Sequence, residues 1–183
     1  LGFIGTGNMA GAIIGGIIKN RIFRPEEIIG ADVSEAGLQR VKDTYGIEVT
    51  DNNRKVAAEA EVLVLSVKPQ YYEEVIHSIR DCLRREQIII TIAPGKTLAW
   101  LEEQFDKSVK IVRTMPNTPA LVGEGMTAAC ANENVTEEEK EYVLKILSSF
   151  GKVEMIPEHL MDAVVAVSGS SPAYVFLFIE AMA

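Results

Sequence analysis

The sequence has 183 residues, of which 48% are hydrophobic and 24% are charged, values close to those of ordinary globular proteins. This length allows one well-buried α/β domain and the beginning of a second unit. The formal net charge is −8, and the lysines and arginines are scattered rather than clustered. We therefore expect no nucleic-acid partner, because the chain offers no basic surface for a phosphate backbone.

The two cysteines, Cys82 and Cys130, lie far apart and lack the close spacing of a zinc or redox site. We expect them to be reduced thiols and expect no metal site. No apolar run reaches the roughly 18 residues that a membrane-spanning helix requires. Gly2, Gly5 and Gly7 interrupt the apolar start too early for a signal peptide. We accordingly expect no membrane partner and a cytoplasmic location.

Short apolar segments of β type alternate with segments of helical periodicity along most of the chain. This alternation predicts a Rossmann-type, doubly wound α/β fold, in which a mostly parallel sheet carries helices on both faces. The predicted strands cover residues 1–4, 28–32, 47–50, 61–66, 87–92, 110–114 and 126–131, with an edge strand at 153–156. We expect the topological crossover near 61–66, a segment whose composition indicates burial on both faces.

The predicted helices cover residues 8–19, 35–45, 54–60, 71–83, 98–105 and 136–149. Thr136 and Glu139 have the spacing of a capping box at the start of the last of these helices. Two further helices with unusually apolar faces are predicted at residues 158–167 and 172–182.

The strongest chemical signal is the segment Gly5-Thr6-Gly7-Asn8-Met9-Ala10, a G-x-G-x-x-A motif between a predicted strand and a predicted helix. Gly5 allows the tight turn, Gly7 lets the backbone approach a pyrophosphate, and Ala10 lets the helix pack closely on the strand. The free amide groups at the helix start would then face the diphosphate, where the helix dipole favours negative charge. A glycine-rich turn can also merely connect two elements, so the motif requires support from elsewhere in the chain.

Asp32 gives that support, because it ends the second predicted strand roughly 20 residues further on, where an acidic side chain binds the adenosine ribose. The alternative is a turn or helix-start role beside Ser34. An acidic residue would repel a 2′-phosphate and favours NAD over NADP, although Ser34 and Arg40 could soften this repulsion. The sequence thus predicts NADP or NAD as the cofactor and leaves the choice open, with Asp32, Val33 and Ser34 as its contacts.

Three further stretches follow predicted strands at the edge where open α/β sheets bind ligands. They are Ser66-Val67-Lys68-Pro69-Gln70, Ile92-Ala93-Pro94-Gly95 and Thr114-Met115-Pro116-Asn117-Thr118-Pro119. Each stretch alone could be a simple turn. Taken with the glycine-rich turn, they indicate cofactor contacts from Val67, Lys68, Pro69, Ala93, Gly95 and Asn117.

With these motifs the sequence resembles the pyrroline-5-carboxylate reductase family, through FIGTGNMAGAI, VLSVKPQ, TIAPG, VRTMPNTPALVGEGMTA and GSSPAYVFLFIEAM. The pairing of MPNTPA with GSSPAYV is particular to this family. The resemblance implies NAD(P)H-dependent reduction of 1-pyrroline-5-carboxylate to proline, with hydride transfer to the C=N carbon. The sequence departs from the family at Pro94, where an alanine is usual, and at Asp32-Val33, where NADPH-preferring members often have a polar residue and an arginine.

Family members continue beyond the GSSPAYV helix into a helical domain that builds the dimer and supplies hydroxyl donors to the substrate carboxylate. The resemblance therefore implies a dinucleotide-binding Rossmann domain at residues 1–157 and the beginning of a helical dimerisation and substrate domain at 158–183. It also implies a homodimer or a higher homo-oligomer. Were the chain to end at Ala183, we would expect cofactor binding with weak or absent turnover.

No residue is predicted to act as a catalytic acid, because a cyclic imine is basic enough to arrive protonated or to take its proton from water. The resemblance assigns Lys68 to the wall beside the nicotinamide ribose, a positioning role. Asn117 offers a donor and an acceptor to the nicotinamide carboxamide, or is a turn residue. Ser170, Ser171 and Pro172 begin a helix and are predicted to bind the substrate anion, the alternative being an ordinary N-cap.

Two other functions stay open at this point. A dehydrogenase of the β-hydroxyacid or 6-phosphogluconate type would share the turn and the strand order. Such an enzyme needs a catalytic lysine on the helix after the Rossmann part, and residues 172–182 contain none. A non-catalytic NAD(P)-sensing module would bind the cofactor but would need no motifs near the nicotinamide. His77 and His159 lie outside every motif and are interpreted as structural.

Overall fold

The computed structural model describes all 183 residues, from Leu1 to Ala183. Its centre is an eight-stranded sheet with the strand order β3-β2-β1-β4-β5-β6-β7-β8. The strands are β1 (Gly2–Ile4), β2 (Ile29–Ala31), β3 (Glu48–Thr50), β4 (Val62–Leu65), β5 (Ile88–Thr91), β6 (Lys110–Met115), β7 (Gly125–Ala131) and β8 (Gly151–Met155).

Strands β1 to β6 are parallel, whereas β7 runs antiparallel to β6 and β8 runs parallel to β7. The predicted mostly parallel sheet and its edge strand are thus confirmed. The strand order reverses between β1 and β4, where the crossover was predicted. In such sheets the crevice outside the carboxyl ends of the strands at this reversal is the place where ligands bind.

Eight α-helices connect the strands and cover the sheet. They are α1 (Asn8–Lys19), α2 (Glu35–Tyr45), α3 (Asn53–Glu59), α4 (Tyr72–Ile79), α5 (Leu98–Phe105), α6 (Glu137–Leu147), α7 (Met161–Val164) and α8 (Ser171–Met182). Local capping fixes several of their starts: the Thr97 hydroxyl accepts a hydrogen bond from Trp100 N. The capping box predicted for Thr136 and Glu139 is present at α6. These caps satisfy amide groups that have no partner within the helix.

The core consists of two apolar clusters on opposite faces of the sheet. Successive residues of β4 alternate between them: Val62 and Val64 belong to the cluster that contains α1 and α6 residues, whereas Leu63 and Leu65 belong to the cluster beneath α3, α4 and α5. This alternation follows from the two-residue period of a strand. Burial on both faces explains why β4 is a continuous apolar run.

The C-terminal part forms one long helix rather than the two predicted ones. A π-helical turn at Val165–Gly169 joins α7 to α8, and Ser170 keeps a helical backbone conformation with φ −93° and ψ −30°. The resulting helix, Glu158–Met182, has 25 residues and is long and apolar enough to cross a membrane by length and composition alone. The expectation that no segment reaches this length was wrong, because the Gly-Ser-Ser-Pro stretch does not interrupt the helix. None of the residues of α8 is buried.

Candidate dinucleotide-binding site

The glycine-rich turn lies between the ends of β2 and β4 and is held by both of them. Gly5 N donates a hydrogen bond to Ala31 O at 2.8 Å, and the Ser66 hydroxyl donates to Gly5 O at 2.6 Å. Gly5 has a φ of 94°, and a Cβ atom there would lie 2.7 Å from the Ser66 backbone. Only glycine fits this position without strain, as the motif predicted.

The helix that follows presents an open N-terminus. Gly7 is the N-cap of α1, no side chain caps the helix, and its first turn contains no acidic residue. A Cβ atom at Gly7 would meet nothing within 4 Å. Ala10 is buried against the sheet, whereas Asn8 is exposed and Met9 half-buried. An uncapped helix start beside open space fits a diphosphate, because the unpaired amides and the helix dipole favour an anion.

Asp32 lies directly beside this turn, and protein donors already bind its carboxylate. Its Oδ2 accepts hydrogen bonds from Thr6 N at 2.6 Å and from Thr6 Oγ1 at 3.0 Å, and its Oδ1 accepts one from Ser34 N at 2.9 Å. Arg40 Nη2 donates to Thr6 O at 3.0 Å. The Ser34 hydroxyl caps α2 by accepting from Gly37 N. Asp32 thus has the turn role that the sequence left open and is still half-exposed toward the cleft.

A cavity of about 460 Å³ extends from this carboxylate between the ends of β1, β2 and β4. Its walls include Asp32, Val33, Val67, Tyr71 and Glu74. Val33 is 97% exposed and Tyr71 50% exposed, so both offer apolar surface to a ligand. The shape and lining suit an adenosine group, because a flat base needs apolar walls and a ribose needs a hydrogen-bond acceptor.

The loop after β4 borders the same cavity through Val67, and the loop after β5 follows the neighbouring strand. Lys68 is exposed, and Pro69 begins a short 3₁₀ turn at Pro69–Tyr71. Ala93 is buried, and Gly95 occupies the left-handed region with a φ of 74°. A glycine in this conformation directly after a proline is typical of a type II turn. Pro94 therefore favours the turn rather than opposing it.

The buried Tyr72 side chain connects the ends of β4 and β5 through its hydroxyl, a contact that the sequence analysis missed. Its hydroxyl donates to Leu65 O and accepts from Ile92 N at 3.3 Å, and the side chain is fully buried. Burial raises the pKa of Tyr72, against the opposing effect of hydrogen bonds from the Ile92 and Ala93 amides. The sequence analysis placed this position only within a predicted helix, and no local signal distinguishes a bridging tyrosine from a packed one.

Asn117 connects the loop after β6 to the C-terminal helix. Its Oδ1 accepts from Met126 N at 2.8 Å, and its Nδ2 donates to the Ser168 hydroxyl at 3.0 Å. A Cβ atom at Gly169 would lie 3.0 Å from Met115 Cε, so the two segments pack closely. One amide proton of Asn117 has no partner in the protein. Ser168 was not a predicted site residue, although it directly precedes the GSSPAYV motif.

The predicted substrate residues lie at the start of α8. Ser170 N and the Ser170 hydroxyl both donate to Val165 O, at 3.1 and 3.2 Å. Ser170 is the N-cap of α8 but makes no side-chain capping bond, and Pro172 lies in the first turn. Ser171 and Pro172 are half-exposed. The backbone here continues from the preceding π turn, a feature that is often found at functional sites.

An ion pair between a buried arginine and a half-buried glutamate fixes this helix to the sheet. Arg113 on β6 is 4% exposed, and its Nη1 donates to Glu158 Oε1 at 2.8 Å. The same Glu158 oxygen accepts from Leu98 N at 2.7 Å. Removal of Glu158 would leave the buried Arg113 charge without its partner. Nearby, burial raises the pKa of the Cys130 thiol to about 11, and the charge of Glu158 acts in the same direction.

Comparison with known proteins assigns the two ends of the chain to described families. Residues 1–95 match the family model described as NADP oxidoreductase coenzyme F420-dependent. Residues 158–183 match the family model described as pyrroline-5-carboxylate reductase dimerisation.

Curated relatives match over the whole chain. The pyrroline-5-carboxylate reductase of Escherichia coli (strain K12) is 42% identical over 183 residues, which are 100% of this chain and 68% of that protein. The pyrroline-5-carboxylate reductase of Synechocystis is 43% identical with the same coverage of both chains.

Solved structures agree with these relatives. A pyrroline-5-carboxylate reductase from Coxiella burnetii has a TM-score of 0.92 at 37% identity and covers 98% of this chain and 67% of its own. The Plasmodium falciparum pyrroline carboxylate reductase, solved with NADP bound, has a TM-score of 0.89 at 37% identity, covering 98% of this chain and 66% of its own. A prephenate dehydrogenase from Aquifex aeolicus, with a TM-score of 0.74 at 17% identity, shows only the shared fold. The chain belongs to the pyrroline-5-carboxylate reductase family.

Proposed function

We propose that this protein reduces 1-pyrroline-5-carboxylate to L-proline with NADH or NADPH. The observation that carries the proposal is the hydrogen bond of 3.0 Å between Asn117 and Ser168, which joins the MPNTPA loop to the helix that contains GSSPAYV. This contact brings the two motifs particular to the family next to each other, which supports one shared site. A dehydrogenase with a catalytic lysine on this helix is disfavoured, since α8 contains no lysine.

The site residues divide by the part of the cofactor that they would hold. The segment Gly5-Thr6-Gly7-Asn8-Met9-Ala10 would bind the diphosphate through its amides. Asp32, Val33 and Ser34 would contact the adenosine ribose. Val67 would contact the adenosine group from the cavity wall, and the nicotinamide end would be held by Lys68, Pro69, Ala93, Gly95 and Asn117. The reduced cofactor, when bound, supplies the hydride that the C=N carbon accepts.

The protein's own contribution is orientation rather than acid catalysis. The substrate nitrogen needs one proton, and a protonated cyclic imine brings that proton with it. Lys68 would act as a positioning residue in the loop after β4, and Asn117 would offer its free amide proton to the nicotinamide carboxamide. Ser170, Ser171 and Pro172 would line the site of the substrate carboxylate, with the half-exposed Ser171 hydroxyl as its donor.

The larger organisation follows from the same proposal. Residues 1–157 form the dinucleotide-binding domain, and residues 158–183 begin the helical domain that completes the substrate site. A second copy of the chain would cover α8, which gives a homodimer or a larger homo-oligomer. We expect the enzyme to act in the cytoplasm, where reduced nicotinamide cofactors are present.

The test follows the absorbance of NADH or NADPH after addition of 1-pyrroline-5-carboxylate, with proline measured by mass spectrometry. Replacing Asn117 by Ala should lower kcat/KM by roughly tenfold or more, because it frees the loop that orients both reactants. The exposed neighbour Thr118→Ala is the matched control and should leave kcat/KM unchanged. In a protein that carries the whole helical domain, cofactor binding without proline formation would favour the sensing module and contradict the proposal.

A further inference from the structure

The adenosine end of the cleft is acidic. Two carboxylates, Asp32 and Glu74, line the cavity of about 460 Å³ beside the glycine-rich turn, and no lysine or arginine lines it. The remaining walls are apolar or neutral, including Val33, Val67 and Tyr71. A ligand group placed here meets negative charge without a compensating cation.

Hydrogen bonds hold Asp32 in this place. Thr6 N, Thr6 Oγ1 and Ser34 N all donate to its carboxylate, at 2.6, 3.0 and 2.9 Å. A carboxylate accepts about four hydrogen bonds. Roughly one acceptor direction on Oδ1 therefore stays free, which suits a single ribose hydroxyl. Because rotation of the side chain would break three bonds, Asp32 cannot swing away from an incoming anion without loosening the turn.

Two arginines bind backbone oxygens beside the cavity without lining it. Arg40 Nη2 donates to Thr6 O at 3.0 Å, and Arg54 Nη1 donates to Ser78 O at 2.6 Å. Moving either guanidinium into the cavity would break one of these contacts. A phosphate on the ribose would therefore gain an arginine partner only at the cost of one of these contacts.

From these contacts we infer that this protein selects NADH over NADPH, with Asp32 and Glu74 as the specificity-determining residues. The inference rests on the proposed function in taking this cleft as the dinucleotide site. The 2′-hydroxyl of NADH can donate to the free acceptor of Asp32. The 2′-phosphate of NADPH carries no donor for it and brings close to two negative charges beside two carboxylates.

The experiment measures the dissociation constants of NADH and NADPH by calorimetric titration of the purified protein, without substrate. NADH should bind roughly 10- to 100-fold more tightly at low salt, from repulsion at a separation of a few ångströms. The ratio should shrink as salt rises, because salt screens this repulsion. NADPH binding equal to or tighter than NADH binding would overturn the inference.

Variants separate the two carboxylates. Glu74→Gln should tighten NADPH binding roughly threefold and leave NADH binding unchanged, since one charge is removed without touching the turn. Glu73→Gln removes the same charge from the next residue of α4, which does not line the cavity, and should change neither constant. Equal effects of both variants would indicate a general charge effect and contradict the inference.

Asp32→Asn tests the residue at the centre of the argument. An amide cannot accept all three hydrogen bonds, so both cofactors should bind more weakly, but the NADPH to NADH affinity ratio should rise roughly tenfold. An unchanged ratio would contradict the inference. If the natural protein binds NADH more tightly than NADPH but does not reduce 1-pyrroline-5-carboxylate, the proposed function fails and this inference stands.

Discussion

Gly5 and Gly7 are two residues apart in one motif, yet the structure gives them different physical roles. A side chain at Gly5 would collide with the Ser66 backbone, at a φ of 94° that other residues rarely adopt. A side chain at Gly7 would meet no protein atom within 4 Å. The first glycine is therefore required by the fold, and the second leaves open the space where a diphosphate would lie.

Replacing Gly7 by Ala should separate binding from stability. Its backbone angles, φ −68° and ψ −170°, are open to any residue, so the free energy of unfolding should change by less than about 1 kcal/mol. The new methyl group should weaken NADH binding by roughly tenfold or more, because it displaces the diphosphate from the amides. Urea unfolding and fluorescence titration measure the two effects.

The matched variant is Gly5→Ala, which should lower the free energy of unfolding by at least about 2 kcal/mol through backbone strain and the clash. If Gly7→Ala bound NADH as tightly as the natural protein, the turn would not be the diphosphate site.

The motif made these two glycines and Ala10 predictable, because their roles depend on neighbours close in the sequence. The partners of Asp32 and Asn117 were not predictable in the same way. Thr6 lies 26 positions from Asp32 and Ser168 lies 51 positions from Asn117, so only the folded chain brings them together. The family resemblance predicted that two motifs belong to one site, but not which atoms meet.

At the scale of elements, the bounds of helices could be predicted from local sequence signals better than the pairing of strands could. The bounds of α1, α2 and α5 agree with prediction, because caps such as Ser34 and Thr97 lie next to the helices they start. Several strands are one residue shorter at each end than predicted. The antiparallel direction of β7 was not predicted, because its pairing with β6 depends on contacts that apolar periodicity does not encode.

Tyr72 should make the connection between β4 and β5 sensitive to alkaline pH. Burial raises the pKa of Tyr72 in the folded protein, although hydrogen bonds from the Ile92 and Ala93 amides act against this. In the unfolded chain its pKa is about 10. The contribution of this raised pKa to the free energy of unfolding is therefore complete below about pH 10. It is lost as the pH rises further, by up to about 1.4 kcal/mol per pH unit, because the unfolded chain releases the Tyr72 proton first.

Replacing Tyr72 by Phe tests this predicted loss of stability at alkaline pH. At pH 8 the variant should be less stable by about 1 kcal/mol, because a buried hydroxyl bridge is lost. The difference should shrink between pH 10 and pH 11, since phenylalanine cannot ionise in the unfolded chain. Tyr71→Phe, at a half-exposed neighbour, is the control and should show neither effect. A stability difference that stayed constant across this pH range in urea unfolding would contradict the assignment.

At the scale of the whole molecule, the dominant feature is the uncovered apolar helix α8. Phe176 and Phe178 are 64% and 65% exposed, and Tyr174, Leu177 and Met182 are exposed to a similar degree. Monomeric soluble proteins rarely expose a contiguous apolar surface of this kind. The ion pair between Arg113 and Glu158 holds the base of this helix against the sheet, so the surface is presented in a fixed direction.

We expect this helix to join copies of the chain, in agreement with the match of residues 158–183 to a dimerisation family. Replacing Phe178 by Asp should weaken self-association by roughly 10-fold or more, because a charge would be buried in an apolar contact. Ile22→Asp, at an exposed apolar residue far from α8 in the sequence, is the control. Sedimentation equilibrium measures the association constant of each protein.

Two results would count against this assembly. A natural protein that stayed monomeric at tens of micromolar would leave α8 without its expected partner, and equal weakening by both variants would place the contact elsewhere. Because the helix Glu158–Met182 also has the length and composition of a membrane span, flotation with lipid vesicles should accompany the measurement. If α8 is covered by protein, the natural protein should self-associate without binding vesicles, and Phe178→Asp should abolish the self-association. Only a second protein surface would then remove these apolar side chains from water.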